Sequence, residues 1–431
     1  MRAYTDSGIE WLGEIPEHWE VVKIKHIAEI ITGKTPTLDS EWGDNMFFIT
    51  PTDCDLDKKY VSSSLRKLSQ NGIKNFDSLV IPKNSILVTC IASIGKVAIN
   101  LEEVITNQQI NSVIPNADLV LPDFIFYQLL ATMPFAERYF CGYSILPILN
   151  KSEFSNIKIP LPPIEEQKAI ADFLDSKCKL IETFIEKKQK LITLLNEKKQ
   201  ALINECVTKG LDKNVNFKDS GIEHLGAIPT HWEVRRLATF GKFSKGGNIS
   251  RQDLVENGEQ ALLYGDIYMN YEISTSFLDS QISTNTSPSA TPIYRGDILF
   301  AGSGETKEDI GKNIVYLGED KAFAGGDIII FRQKENNALF LSYALNTKYA
   351  KFYKGIESKG EIIVHIYASN LKDIKIPLPP IEEQKQIAKF LDSEISKIDS
   401  IIGKIKKQIE LIKEYKSTLI SQAVCGRIGV Q

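Results

Sequence analysis

Ile159-Pro160-Leu161-Pro162-Pro163-Ile164-Glu165-Glu166-Gln167-Lys168 returns unchanged 217 residues later as Ile376-Pro377-Leu378-Pro379-Pro380-Ile381-Glu382-Glu383-Gln384-Lys385. An Ile-Lys-Ile strand, at 157–159 and 374–376, runs into each Pro-Pro. Proline suits the first turn of a helix and cannot be continued into from inside one, so each copy predicts a sharp helix start. The paired glutamates then fall in the first turn, where the helix dipole favours negative charge.

A seven-residue apolar repeat follows each start. In the C-terminal copy one seam position holds Leu391, Ile398, Ile405, Ile412 and Leu419, and the other holds Ala388, Ile395, Ile402, Ile409, Lys416 and Ala423. The central copy places Leu174, Ile181, Lys188, Leu195 and Leu202 at the first, with Ala171, Cys178, Ile185, Ile192, Lys199 and Cys206 at the second. Apolar seam positions sustained over about five heptads mark a coiled coil. The helices are expected at about 163–208 and about 380–425, each roughly 60 Å long at 1.5 Å per residue. Gly210 and Gly426 are their expected stops.

A second duplication reinforces the first. Asp6-Ser7-Gly8-Ile9-Glu10, Leu12-Gly13 and His18-Trp19-Glu20-Val21 return 213 residues later as Asp219-Ser220-Gly221-Ile222-Glu223, Leu225-Gly226 and His231-Trp232-Glu233-Val234. The chain thus reads as an N-terminal segment 1–21, an insert 22–158, a central repeat 159–234, an insert 235–375 and a C-terminal repeat 376–431. Stripes could pack on their own inserts or pair between molecules, but pairing within the chain is the most economical. The C-terminal helix joined to the N-terminal segment would rebuild a second central unit. The expected fold is α/β (α+β): two globular domains separated by two long antiparallel coiled-coil helices, with circular pseudo-twofold symmetry.

The inserts have no obvious likeness in sequence. Both hold short β-like runs (Ser85–Thr89, Asp327–Phe331), polar loops and helical patches near Phe124–Tyr139 and Leu339–Tyr353. Each has an Ile-Leu strand followed by a small-residue loop, Ile86-Leu87-Val88-Thr89 against Ile298-Leu299-Phe300, which suggests two divergent copies of one module.

Composition fits a soluble globular chain: 431 residues, 43% hydrophobic and 25% charged. No apolar run is long enough for a membrane span, and the N-terminus lacks a signal-peptide core, so a cytoplasmic location is expected. The six cysteines (Cys54, Cys90, Cys141, Cys178, Cys206, Cys425) are scattered without a CxxC pair and read as reduced thiols. The net charge of −4 argues against coating nucleic acid with bulk positive charge, though not against a local grip completed by basic partners.

Several chemistries are nearly present. Phe300-Ala301-Gly302-Ser303-Gly304 matches a methyltransferase cofactor loop, yet the (Asn/Asp)-Pro-Pro-aromatic tetrapeptide of an adenine methyltransferase is missing, so a tight loop is the better reading. Gly33-Lys34-Thr35 resembles the end of a phosphate-binding loop, but Ala28 stands where the earlier glycine is required. The five histidines show no metal spacing, and those at His18-Trp19 and His231-Trp232 are best explained by packing.

The whole arrangement resembles the specificity subunit of type I restriction–modification systems, over essentially the full chain. Inside the inserts, Gly33-Lys34-Thr35-Pro36-Thr37, Trp42-Gly43 and Ile49-Thr50-Pro51-Thr52-Asp53 are similar to one target-recognition type. Lys245-Gly246-Gly247-Asn248-Ile249-Ser250, Tyr264-Gly265-Asp266-Ile267-Tyr268 and Gly302-Ser303-Gly304-Glu305-Thr306 are similar to another. The resemblance implies a non-catalytic subunit with no cofactor of its own, whose two target-recognition domains read the halves of a split double-stranded DNA sequence. The helix pair would set the spacer and dock two modification (methyltransferase) subunits. Restriction (translocase/nuclease) subunits would join, and S-adenosylmethionine, ATP and Mg would sit on those partners. An adaptor with two peptide- or glycan-binding modules is the alternative.

Loop side chains that hydrogen-bond base edges are the expected readers. In the first insert these are Lys34, Thr35, Thr37, Trp42, Thr52, Asp53, Ser93, Lys96, Asn107, Gln108 and Gln109. In the second they are Lys245, Asn248, Ser250, Arg251, Gln252, Tyr264, Asp266, Tyr268, Ser303, Glu305, Thr306 and Lys307.

Overall fold

The computed structural model describes residues 3–9, 12–55, 58–141, 147–247 and 249–429. Asn248 and Glu10 lie outside them, as does the side chain of Cys141. Two long helices, α1 (Ile164–Lys209) and α2 (Ile381–Val424), begin directly after the two proline pairs. The chain divides into two compact units, residues 1–188 with 406–431 and residues 189–405.

In unit 1, a five-stranded sheet runs in the order Ala28–Thr32, Ile110–Pro115, Ile86–Thr89, Val97–Asn100 and Tyr60–Val61, antiparallel except for the last pair. Alternation along these strands sends Ile86, Val88, Val97 and Ile99 to one face, against Phe124, Ile125, Leu129 and Met133 of the helix Pro122–Ala136. Leu87, Ala98 and Ile110 point the other way, to Ile49 and Val104 of a second sheet. There Trp42–Ile49 pairs with Val104–Thr106 (parallel) and Lys67–Leu68 (antiparallel).

Unit 2 repeats this plan with other residues. Gly241–Lys245, Ile328–Gln333, Ile298–Ala301, Asn313–Tyr316 and Ser274–Thr275 have the same order and the same directions. Leu254–Leu262 pairs with Ala322–Ala324 (parallel) and Gln281–Ile282 (antiparallel). The helical patch around Leu339–Tyr353 is two helices, Ala338–Leu345 and Lys348–Glu357. Burial of both faces of the central strands explains their continuous apolar runs.

The repeated frame closes each unit in one way. Glu20–Lys23 pairs antiparallel with Lys158–Leu161, and Glu233–Arg236 with Lys375–Leu378, so each insert leaves and re-enters the frame on neighbouring strands. In unit 1 the carboxylate of Glu166 lies 2.6 Å from His18 Nε2 and accepts Trp19 Nε1–H at 3.3 Å. In unit 2 Glu383 lies 2.9 Å from His231 Nε2 and accepts Trp232 Nε1–H at 3.2 Å.

Those tryptophans also meet the end of the other helix. A Cβ at Gly426 would lie 2.9 Å from the Trp19 ring, and one at Gly210 would lie 3.2 Å from the Trp232 ring. Both glycines have positive φ, 71° and 75°, so a residue without Cβ is required twice over. Because the start of one long helix and the end of the other share a tryptophan within each unit, the helix segments run antiparallel there. In unit 2 the end of α1 continues covalently into the Asp219–Val234 segment. In unit 1 the corresponding join is non-covalent: Tyr4 Oη donates to Gly426 O at 3.0 Å and Arg427 Nη2 to Leu12 O at 2.6 Å. Each unit thus holds the same set of joined pieces, which is the circular arrangement of the frame expected from the duplications.

Along the seams, Leu174, Ile181, Leu391, Ile395, Ile398, Ile402, Ile405 and Leu419 are buried, while Ile185, Ile192, Leu195, Leu202, Ile409 and Ile412 are half-buried. The lysines that interrupt the stripe have partners. Lys416 Nζ lies 2.8 Å from Glu182, and Lys199 Nζ lies 2.9 Å from Asp399. Lys188 sits over the Phe184 ring.

Candidate nucleic-acid interface

In unit 1 the loops that leave the sheets converge on one edge. Gly33 N–H donates to Ile110 O and Lys34 N–H to Thr106 O, which brings 33–37 against 106–110. A Cβ at Gly33 would stand 2.0 Å from Thr106 O, so only glycine permits the approach. Thr35 Oγ1 then hydrogen-bonds Gln108 Oε1, and Asn107 Nδ2 donates to Gln109 Oε1 at 2.9 Å. Asn107 N–H reaches Ile49 O, and Lys96 Nζ donates to Pro51 O at 2.9 Å, which adds the 49–53 and 92–96 loops.

Of the expected readers, Lys34, Thr37, Thr52, Ser93 and Gln108 are exposed on this edge. Asp53 is committed to its own turn through Thr50 N–H (2.8 Å) and Thr50 Oγ1 (2.7 Å). Asn107 is buried, and Trp42 packs edge-on against Phe48 at 5.1 Å, which makes both supports of the edge.

Unit 2 builds a comparable edge. Gly246 N–H donates to Ile328 O and Gly247 N–H to Ala324 O, while Gly302 N–H donates to Asp327 O and Ile366 N–H to Gly302 O. Lys245, Ser250, Arg251, Gln252, Tyr264, Glu305, Thr306 and Lys307 are exposed there. Ser250 Oγ hydrogen-bonds Asp253 at 2.8 Å, and Asp266 accepts Leu263 N–H at 2.9 Å as a turn residue. Ser303 is buried and its Oγ lies 2.9 Å from His365 Nδ1; Ser303–Gly304 pairs with Val364–His365 as a short strand. The Phe300–Gly304 motif is therefore a tight structural loop. The sequence carried no pattern that singled out His365.

Tyr268 is half-buried, its hydroxyl lies against the Gly311 backbone, and a Cβ at Gly304 would lie 2.7 Å from that oxygen. The loop from Ser303 to Lys312 is held from behind by Lys354, which is fully buried and donates to Gly311 O (2.6 Å) and Leu345 O (2.9 Å).

Burial, helped by the charge of Lys351, pushes the Lys354 ammonium down to about 7 from its ordinary 10.5. The unfolded chain then binds this proton more tightly, so the Lys354 contribution to stability rises between pH about 7 and about 10.5, by up to about 1.4 kcal/mol per unit. Below pH 7 it is constant. The difference in unfolding free energy between the wild type and Lys354→Met is expected to climb through that window. A flat difference would show that Lys354 is not held neutral.

No group of His, Cys, Asp and Glu suited to a metal ion occurs among the described residues. Cys54, Cys90, Cys178, Cys206 and Cys425 are buried free thiols, and burial pushes Cys54 up to about 12, far from a reactive thiolate. No helix of the described residues is long and apolar enough to cross a membrane.

The motif glutamine, whose role sequence reasoning missed, ties each sheet module to its long helix at the strand end opposite the loop edge. Gln167 is buried; its Oε1 accepts Leu121 N–H (2.9 Å) and its Nε2 donates to Leu119 O (3.0 Å) and Pro162 O (2.9 Å). Gln384 does the same at Asn337 N–H, Asn336 Oδ1 and Pro379 O, each at 2.9 Å. Each glutamine thereby grips the turn that precedes its insert's first long helix. Its presence in both copies was the available signal.

The chain matches the family described as type I restriction modification DNA specificity domain at residues 16–194 and again at 229–411. It is 28% identical to the type I restriction enzyme MjaIX specificity subunit of Methanocaldococcus jannaschii, over 97% of this chain and 96% of that one. It is 29% identical to the MjaVIII specificity subunit of the same organism, over 97% and 94%. Among solved structures, a chain from work on complex assembly and conformational transition of a type I R-M system superposes with a TM-score of 0.73 at 16% identity, covering 96% of this chain and 99% of that one. The HsdS subunit from Thermoanaerobacter tengcongensis gives 0.51 at 17%, covering 96% and 98%. With both halves matched and the duplicated frame accounted for residue by residue, the chain belongs to the type I restriction–modification DNA specificity family.

Proposed function

We propose that this chain is the DNA-reading subunit of a type I restriction–modification complex and has no catalytic role itself. Residues 22–158 and 235–375 each read one half of a bipartite double-stranded target. The long helices set the spacer and dock two methyltransferase subunits, with restriction subunits joining them. S-adenosylmethionine, ATP and Mg belong to those partners, and the cytoplasm is where the complex would act.

One observation supports this reading above the rest: two sheet modules of the same order, unlike in sequence, carry donor-rich loop edges and are gripped by one repeated frame. A constant mount with variable loops is what a two-part reader needs, since base edges are discriminated by side-chain donors and acceptors. The polar residues at each edge are of the reading types, and partners that enclose the duplex would supply phosphate contacts that a chain of net charge −4 lacks.

Co-expression with the modification subunits, followed by mapping of methylated adenine, tests the proposal. The expected result is one split sequence with a fixed spacer. Methylation without such a motif, and no sequence-selective gel shift, would favour a peptide- or glycan-binding adaptor.

A further inference from the structure

The 217-residue repeat places the same charges on both helix seams: Asp175 corresponds to Asp392, Glu182 to Asp399 and Lys199 to Lys416. The two inserts use them differently. In unit 1, Lys59 Nζ and Tyr127 Oη both lie 2.6 Å from Asp175 Oδ1 on α1, and Lys59 also lies 2.6 Å from Asp123. In unit 2, the insert places Glu272 3.1 Å from Lys199, and Asp392 faces the insert through its charge on Tyr343, where Asp175 in unit 1 accepts from both Lys59 and Tyr127.

The unit 1 clasp is built for direction. Lys59 is walled by the rings of Tyr60, Phe126 and Tyr127 at 5.5, 5.7 and 5.1 Å. Burial alone would lower its ammonium, but the hydrogen bonds to Asp123 and Asp175 outweigh this and raise it. Charge-assisted bonds of this length are stronger and more directional than the apolar contacts around them.

Among the described residues, two polar points therefore tie the unit 1 insert to α1. One is Gln167; the other is Asp175, eight residues and roughly 12 Å further along. Two points fix a tilt, whereas one leaves a pivot. Unit 2 has more: besides Gln384 and Glu272, Gln200 Nε2 donates to Asn346 O (3.2 Å) and Asn204 Oδ1 accepts Lys348 N–H (3.0 Å).

We propose that Lys59, Tyr127 and Asp175 are positioning residues that lock the tilt of the first reading module on its helix and so restrict the spacer accepted between half-sites, without touching DNA. This inference rests on the DNA-reading proposal above.

The test uses the full chain assembled with its modification subunits on a DNA library of varied spacers. Asp175→Ala and Lys59→Met are expected to keep both half-sequences while methylating spacers one base pair shorter or longer about tenfold better, relative to the native spacer, than the wild type does. Lys59→Arg should restore the narrow preference, and Glu272→Gln should leave it within about twofold, because unit 2 keeps its other ties. If Asp175→Ala does not fold, Tyr127→Phe removes one bond of the clasp and carries the same expectation. An unchanged spacer preference, an equal fall at every spacer or an altered half-sequence overturns the inference. Absence of any split motif in the wild type instead overturns the DNA-reading proposal.

Discussion

Exchange of residues 22–158 for the insert of another family member is expected to rewrite one half of the methylated sequence and leave the other half untouched. The reason lies in how the insert is held. It enters on Glu20–Lys23 and leaves on the antiparallel partner Lys158–Leu161, so its two ends stay together whatever lies between them. Gln167 grips Leu119 O and Leu121 N–H, which are main-chain groups and place little demand on side chains. The side-chain clasp at Asp175 does make a demand, so a donor that provides a lysine and a tyrosine to meet it is the cleaner choice. Each mismatched base pair in a DNA site costs about 1–3 kcal/mol, so a half-site of a few pairs shifts preference by at least about a hundredfold. Methylation mapping reads this directly. A change in both halves, or in neither, would mean that the inserts do not read separately.

The frame was legible in the sequence because its constraints are local and strong. Proline pairs fix helix starts, heptads fix the seam face, and Gly210 and Gly426 are required by positive φ and by a tryptophan ring at the same time. The kinship of the inserts was legible only in outline. Their shared strand order comes from two-sided burial, which many apolar residues satisfy equally well, so the order survives where the residues do not.

The candidate edges were the least legible part. Asp53 and Asp266 carry the residue types of readers and also close turns, and Ser303 is held by His365 from a segment 62 residues away. Turn chemistry and base recognition draw on the same small polar side chains, and a loop sequence alone does not separate them. The seam lysines are the converse case. Lys199 breaks the apolar pattern, yet its bonds to Asp399 and Glu272 outweigh the burial that would lower it.

Trp232→Ala is expected to cost about 3–5 kcal/mol, the range for removing a fully buried large aromatic side chain. Trp232 has no exposed surface, and it joins three things: the first turn of α2 through Glu383, the end of α1 at Gly210, and the core containing Ile228, Leu391 and Ile395. Alanine would leave a cavity at the point where all three meet. Trp19→Ala should behave alike in unit 1, where the same join relies on the non-covalent bonds of Tyr4 and Arg427 and has no chain connection to fall back on. Glu383→Gln separates packing from charge. It retains an acceptor for the indole N–H and forfeits the charge near His231 and the helix dipole, so the loss should stay below about 1.5 kcal/mol. Urea unfolding midpoints for the three variants, compared at fixed pH and salt, provide the order. If Glu383→Gln proved as damaging as Trp232→Ala, the joint would be electrostatic at root, and the tryptophan would be a spacer around a half-buried carboxylate.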